Sequence, residues 1–269
     1  MTSPVTFSVQ GAVAVITLDS PATRNALTPE MLCRLCDAFK DYAGDAALRV
    51  AIVTGAGERA FCAGGDLART LPLLSGERPA QDDWDRRLLS DPEVLAASGL
   101  REFALHKPVI AAINGACMAA GFELMLGTDL RIAADHATFA LPEVRRAVIP
   151  FAGSMVRLPR QVAFCQAMEI MLTGEACGAA DAYRIGLVNR VLPASAVMPE
   201  ALALAHRIAK NGPLAVQALK QTVVEASGLA LREGYLLEDE AKRRVLATDD
   251  AREGPRAFME KREPEYRGR

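Results

Sequence analysis

The chain has 269 residues, 51% of them hydrophobic, and 31 Lys+Arg against 33 Asp+Glu leave a formal net charge of −2. That apolar share supports a substantial core and excludes a disordered chain, while the even charge offers no basic field to a nucleic acid. No apolar run approaches the roughly 18–20 residues of a membrane span, and Met1-Thr2-Ser3-Pro4-Val5 lacks the basic and apolar regions of a secretory leader, so the chain reads as soluble and cytoplasmic.

In chain order, residues 5–9 and 12–18 read as paired strands rich in β-branched side chains. Thr28-Pro29-Glu30 starts a helix, with an N-cap hydroxyl, Pro at the first helical position and an acid in the first turn. Met31, Leu32, Leu35, Phe39 and Tyr42 follow at helical spacing and give it one apolar face. Residues 49–54 form a buried strand ending at Gly55, and 108–113 another ending at Asn114-Gly115. Residues 67–106 carry Pro72, Gly76, Pro79 and Pro92 and read as an irregular, partly helical insertion that could flank a pocket. Short strands follow at 130–134 and 138–141, and Gly186 closes a helix before a strand at 187–192. From about residue 194 only helices remain, near 196–211, 213–227, 230–246 and 249–262. The expected division is a core over 1–193 and a helical region over 194–269.

Three stretches carry unusual backbone chemistry. In Ala60-Phe61-Cys62-Ala63-Gly64-Gly65-Asp66, small residues let a ligand reach the main chain, and Asp66 can cap the segment after it; a plain tight turn is the alternative. In Asn114-Gly115-Ala116-Cys117-Met118-Ala119-Ala120-Gly121, a strand gives way to an apolar helix whose start offers free N–H groups to an anion; close helix packing is the alternative. Glu123 sits among Phe122, Leu124, Met125 and Leu126, where a carboxylate needs a partner or a task. The third stretch, Leu141-Pro142-Glu143, closes a short strand and reads equally as a surface turn or a site.

Several chemistries find no support. The six cysteines fall mostly inside apolar runs, as small hydrophobes do. Cys33-x-x-Cys36 has no second CxxC, and His106, His136 and His206 stand apart from metal-ligand spacing, so no metal is expected. Gly55-x-Gly57 lacks the third Gly of a dinucleotide fingerprint, and Walker, HExxH and GxSxG sequences are absent. Ser154 has no base partner recognisable in the sequence, which argues against a serine nucleophile.

Taken together, these stretches resemble the crotonase superfamily, and within it the enoyl-CoA hydratase branch. The likeness runs through Leu18-Asp19-Ser20-Pro21, Arg24-Asn25-Ala26-Leu27, Ala60 to Leu67, Lys107-Pro108-Val109-Ile110-Ala111-Ala112, Ala119-Ala120-Gly121-Phe122-Glu123-Leu124, Phe139-Ala140-Leu141-Pro142-Glu143 and Leu172-Thr173-Gly174. The tail from Glu253 to Arg262 resembles the carnitinyl-CoA dehydratase-like members. The resemblance implies an α/β spiral of ββα units with a C-terminal helical region that makes trimers, often as a dimer of trimers.

By the same resemblance, the amides of Gly65 and Ala120 form an oxyanion hole for a thioester enolate. Glu123 is then the base that activates water and Glu143 the acid that protonates Cα. Two carboxylates facing one site should drive one pKa towards neutrality. Arg24, Ala26, Ala63, Asp66 and Leu67 correspond to coenzyme A contacts, and Phe258 and Lys261 to the region that reaches a coenzyme A held by a neighbouring copy. No cofactor is implied, because coenzyme A is part of the acyl-CoA substrate. Ala147 and Phe151 depart from common glycines; Phe151 keeps its N–H near the catalytic water while its ring narrows the site. The activity implied is hydration or dehydration of an enoyl-CoA. The competing readings are an isomerase, which needs one acid, and a non-catalytic acyl-CoA-binding relative.

Overall fold

The computed structural model of the chain describes residues 3–269, so Met1 and Thr2, the start of the segment read for a leader, lie outside the described residues. The strands are β1 (Val5–Gln10), β2 (Val13–Leu18), β3 (Val50–Gly55), β4 (Ala60–Cys62), β5 (Val109–Ile113), β6 (Ala116–Met118), β7 (Leu130–Ala134), β8 (Thr138–Ala140), β9 (Cys177–Gly178) and β10 (Arg190–Leu192). The helices are α1 (Pro29–Gly44), α2 (Thr70–Leu74), α3 (Asp83–Ser90), α4 (Pro92–Ser98), α5 (Ala120–Leu126), α6 (Ser154–Gln161), α7 (Phe164–Thr173), α8 (Ala179–Arg184), α9 (Ala194–Ala209), α10 (Pro213–Ala226), α11 (Leu231–Leu246) and α12 (Asp250–Met259). Two 3-10 turns cover Pro21–Thr23 and Pro142–Arg146.

Two sheets share these strands. The larger runs β1-β2-β3-β5-β7-β10, parallel except for the β1–β2 hairpin, and the smaller runs β4-β6-β8-β9. The chain passes repeatedly from a strand of the larger sheet to one of the smaller and then into helix, as in β5, β6, α5 and β7, β8, α6. This is the repeating ββα path expected of the spiral. All of β3 and β5 is buried, which is why they read as unbroken apolar runs. The smaller sheet is hard to see in the sequence because β4, β6 and β8 are three residues each, too short for a period to show.

Helix α1 forms where its start signals place it. Thr28 Oγ1 accepts from the Met31 amide at 3.2 Å, and Pro29 holds the first helical position. Lys107, only 7% exposed, closes the other end by donating to the carbonyls of Tyr42 and Asp45. The 67–106 insertion mainly covers this helix: α3 and α4 pack on α1, and the Cys33 and Cys36 thiols donate to the carbonyls of Trp84 and Glu93. Both cysteines are thereby used in helix packing.

Helix α9 lies on the larger sheet, with Val197, Ala201 and Ala205 fully covered. The layer that closes the core therefore runs past residue 193, because the inward face of α9 is needed to bury β3, β5 and β7. Only from α10, which has no buried residue, do the helices stand away from the core. Among the described residues no helix is long and apolar enough to cross a membrane.

Arg131, 7% exposed on β7, ties three elements together. Its guanidinium donates to the carbonyls of Met125, Leu126 and Thr128 at the end of α5, to Leu187 O and to Gln161 Oε1. Helix C-terminal carbonyls buried without donors are costly, so this one side chain fixes where α5 ends. Arg131→Met keeps the length but leaves several buried acceptors unpaired, and should cost about 3 kcal/mol or more of unfolding free energy in a urea titration.

Candidate active site

Two segments far apart in sequence are laced into one wall. The Ala63 amide donates to Arg24 O at 3.0 Å, the Leu27 amide to Gly64 O at 2.8 Å, and the Asp66 amide to Leu27 O at 3.0 Å. Asn25 anchors this lacing. It is fully buried at φ 56°, a left-handed conformation that Asn tolerates better than most residues. Its Nδ2 donates to Ala56 O and Ala60 O at 3.0 and 2.9 Å, and its Oδ1 accepts from the Ser20 amide. Sequence alone assigns Asn25 no role. The only signal it offers is an Asn, a residue that tolerates a left-handed backbone, placed shortly after Pro21-Ala22-Thr23.

The turn meets the start of α5 at van der Waals distance. A Cβ on Gly64 would lie 2.6 Å from Ala119 Cβ and 3.4 Å from Ala120 N, so only Gly fits there, and its φ of +99° is also one that Gly adopts freely. Ala119 itself sits at φ 51°, ψ −126°, a strained conformation for a residue with a Cβ. That turn aims the first amides of α5 past Gly64. A Cβ on Gly121 would lie 2.5 Å from Cys62 Cβ, which shows how tightly the helix is pressed against β4. Among the described residues nothing accepts from the amides of Gly65 or Ala120, and the space beside Gly65 Cα is open. The structure thus brings the two expected donors to one place.

Glu123 lies in the first turns of α5 and is 3% exposed. Burial pushes its carboxyl up, and the donors from Ser154 and Ala152 together with the charge of Arg157 pull it back. Oε1 accepts from Ser154 Oγ and from the amides of Ala152 and Ser154. Glu143 sits in the Pro142–Arg146 turn, where its Oε2 is buried and has no hydrogen-bond partner among the described residues. Its carboxyl is pushed up to about 7, first by burial and then, to a lesser extent, by the Glu123 charge. One acid is thus raised towards neutrality as expected. The leading cause, however, is desolvation rather than repulsion between the pair.

The remaining expected contacts divide. Arg24 is exposed, and among the described residues its guanidinium meets no carboxylate; Ala26 and Ala63 line the same wall, and Leu67 is 62% exposed beside it. Asp66 is engaged within its own chain: Oδ1 accepts from the amides of Ala68 and Arg69, the main-chain amide donates to Leu27 O, and the carbonyl accepts from the amides of Thr70 and Leu71. Phe151 keeps its amide without an acceptor among the described residues, and its carbonyl accepts from Arg101 Nη1. Phe258, 81% exposed, and Lys261 lie at the end of α12, which packs on α11, and no hydrogen bond joins them to the wall at residues 24–27. Ser154, which shows no partner in the sequence, does have one: it is Glu123, from an element 31 residues away.

A carboxyl raised in the folded state binds its proton more tightly folded than unfolded. Its contribution is present at low pH and lost as pH rises through about 7. Wild type should therefore lose more melting temperature between pH 5 and pH 8 than Glu143→Gln does. Parallel pH dependence of the two, by calorimetry, would contradict the buried acid.

A family model described as enoyl-CoA hydratase/isomerase matches residues 8–269. The carnitinyl-CoA dehydratase of Proteus mirabilis is 41% identical over 274 residues, covering 100% of both chains. An enoyl-CoA hydratase of Mycobacterium tuberculosis, EchA19, is 36% identical over 260 residues, 97% of this chain and 95% of its own. Among solved structures, the enoyl-CoA hydratase of Bacillus anthracis is similar with a TM-score of 0.89 and 35% identity, over 99% of this chain and 100% of that one. With a match across nearly the whole length in sequence and in fold, the chain belongs to the enoyl-CoA hydratase/isomerase family of the crotonase superfamily.

Proposed function

We propose that the protein is an enoyl-CoA hydratase/dehydratase, adding water reversibly across the double bond of a 2-enoyl-CoA thioester. The observation that carries this reading is the presence of two buried carboxyls with different hydrogen-bond surroundings. Glu123 is held by three donors on one oxygen, and Glu143 is buried with an oxygen that has none. The thioester carbonyl oxygen accepts from the amides of Gly65 and Ala120, each worth about 3–4 kcal/mol where enolate charge develops. Glu123 takes a proton from water as its oxygen attacks Cβ, the π electrons move onto the thioester oxygen, and Glu143 delivers its proton to Cα. Dehydration is the reverse. No electrons leave the substrate, and its charge is taken up by main-chain amides, so the reaction calls for neither a metal nor a redox cofactor. Coenzyme A enters with the substrate, along Arg24, Ala26, Ala63, Asp66 and Leu67.

The same reading extends to assembly. Helix α10 exposes Leu219, Val223 and Val224, and α11 exposes Leu231, Tyr235 and Leu236, an apolar face too large for a monomer to leave in water. This supports a homotrimer or dimer of trimers built on the helices beyond α9, with Phe258 and Lys261 reaching the coenzyme A of a neighbouring copy. Four fully buried free thiols, Cys33, Cys36, Cys62 and Cys117, favour the reducing cytoplasm.

Glu123→Gln and Glu143→Gln should each lose about 10²–10⁴-fold in crotonyl-CoA hydration, followed by loss of the conjugated enoyl absorbance. The double variant should fall far short of the product of the two losses, because the pair acts as a unit. An isomerase would lose activity at one position and hardly change at the other, and a binding protein would hold acyl-CoA with an unchanged spectrum. Light scattering at micromolar concentration should give a mass three or six times the 28.8 kDa of the chain; a monomer mass would contradict the assembly.

A further inference from the structure

Ser154 opens α6, is fully buried, and has no part in the mechanism above. The cap position of α6 is Gly153, which has no side chain to offer, and Ser154 stands at the first helical position. Here α6 has no side-chain cap, and the hydroxyl is turned across to α5, where Oγ lies 2.8 Å from Glu123 Oε1. The same oxygen accepts from the Ala152 amide at 2.8 Å and the Ser154 amide at 3.1 Å. Three donors saturate the lone pairs of Oε1 and exclude a proton from it. That leaves Oε2, which accepts from no described residue, as the oxygen able to take one.

The charged groups around Glu123 are few. The Pro142–Arg146 turn brings Glu143, and α6 brings Arg157, whose guanidinium donates to the carbonyls of Gly99 and Leu100 rather than to the carboxylate. The strands beneath, β4 and β6, bring Cys62 and Cys117, thiols that burial pushes up and keeps neutral. Arg131 is engaged at the far end of α5. Among the described residues, hydrogen bonding to the Glu123 carboxylate therefore comes entirely from residues 152 and 154, and only one of the three donors is a side chain.

We propose that Ser154 is a positioning residue for the hydration step: its hydroxyl clamps Glu123 Oε1, favours the ionised base and presents Oε2 to the attacking water. This rests on the function proposed above. The division of labour between the two glutamates is then set by their donors, since Glu143, with a buried oxygen left unpaired, is free to keep its proton.

The test compares Ser154→Ala, Ser154→Gly and Ser154→Thr in the full chain, with melting temperature reporting on folding. Loss of one of three charge-assisted bonds should move the acidic limb of the kcat profile up by roughly one pH unit. On the acidic side of that limb kcat should then fall by up to about tenfold, while KM for crotonyl-CoA stays within about twofold. Ser154→Thr, which keeps the hydroxyl, should recover most of the loss. A second readout needs no turnover: in a Glu143→Gln background, the Glu123 carboxyl followed by carbon-13 NMR should titrate higher in Ser154→Ala. A folded Ser154→Ala with an unmoved limb and an unmoved titration would overturn the proposal. So would a loss equal at every pH that Thr does not rescue, which marks a packing role. Should wild type hydrate no enoyl-CoA while the titration still follows Ser154, the clamp stands and the proposed reaction falls.

Discussion

The close approach of Gly64 to Ala119 is the constraint on which the site depends. Two amides can face one oxygen only if their strands of chain come within a few ångströms, and any side chain at residue 64 would fill that gap. The approach is held from both sides. Asn25 and the bonds between residues 24–27 and 63–66 hold the turn, while Cys62 against Gly121 and Arg131 beneath the end of α5 hold the helix. The strained backbone of Ala119 persists because these contacts over-determine it.

Upon that frame, two chemically identical carboxyls acquire different characters from their surroundings. Both are raised by burial, but Glu123 receives donors that stabilise its anion and Glu143 retains a buried oxygen with none. Giving the two carboxyls different characters therefore needs no difference in residue type. It needs one loop, residues 152–154, placed against one face of α5 and kept away from the Pro142–Arg146 turn.

The C-terminal third divides by the same logic of burial. Helix α9 is spent on covering the larger sheet, whereas α10 and α11 pair with each other and leave their outer apolar faces uncovered. The far end of α12 is locked by Glu253, which receives Arg256, Arg262 and the Glu265 amide, so Phe258 and Lys261 are carried on a braced element rather than a loose tail.

By itself the sequence determined the long strands, the capped helix α1 and the order of the helices after residue 194, and its resemblance to a family marked Glu123, Glu143, Gly65 and Ala120 as candidates. Each of these shows in apolar runs, in cap residues or in motif order along the chain. Tertiary structure alone decided the rest. Strands β4, β6 and β8 are too short to carry a period, and α9 looks like its neighbours until the sheet it covers is in place. Asn25 and Ser154 have partners dozens of residues away, and a hydroxyl or amide carries no mark in sequence of the group it will meet. Burial likewise raised Glu143, where repulsion between the carboxyls was the expectation from sequence. Desolvation depends on everything packed around a group, which is a property of the fold and not of the neighbours in the chain.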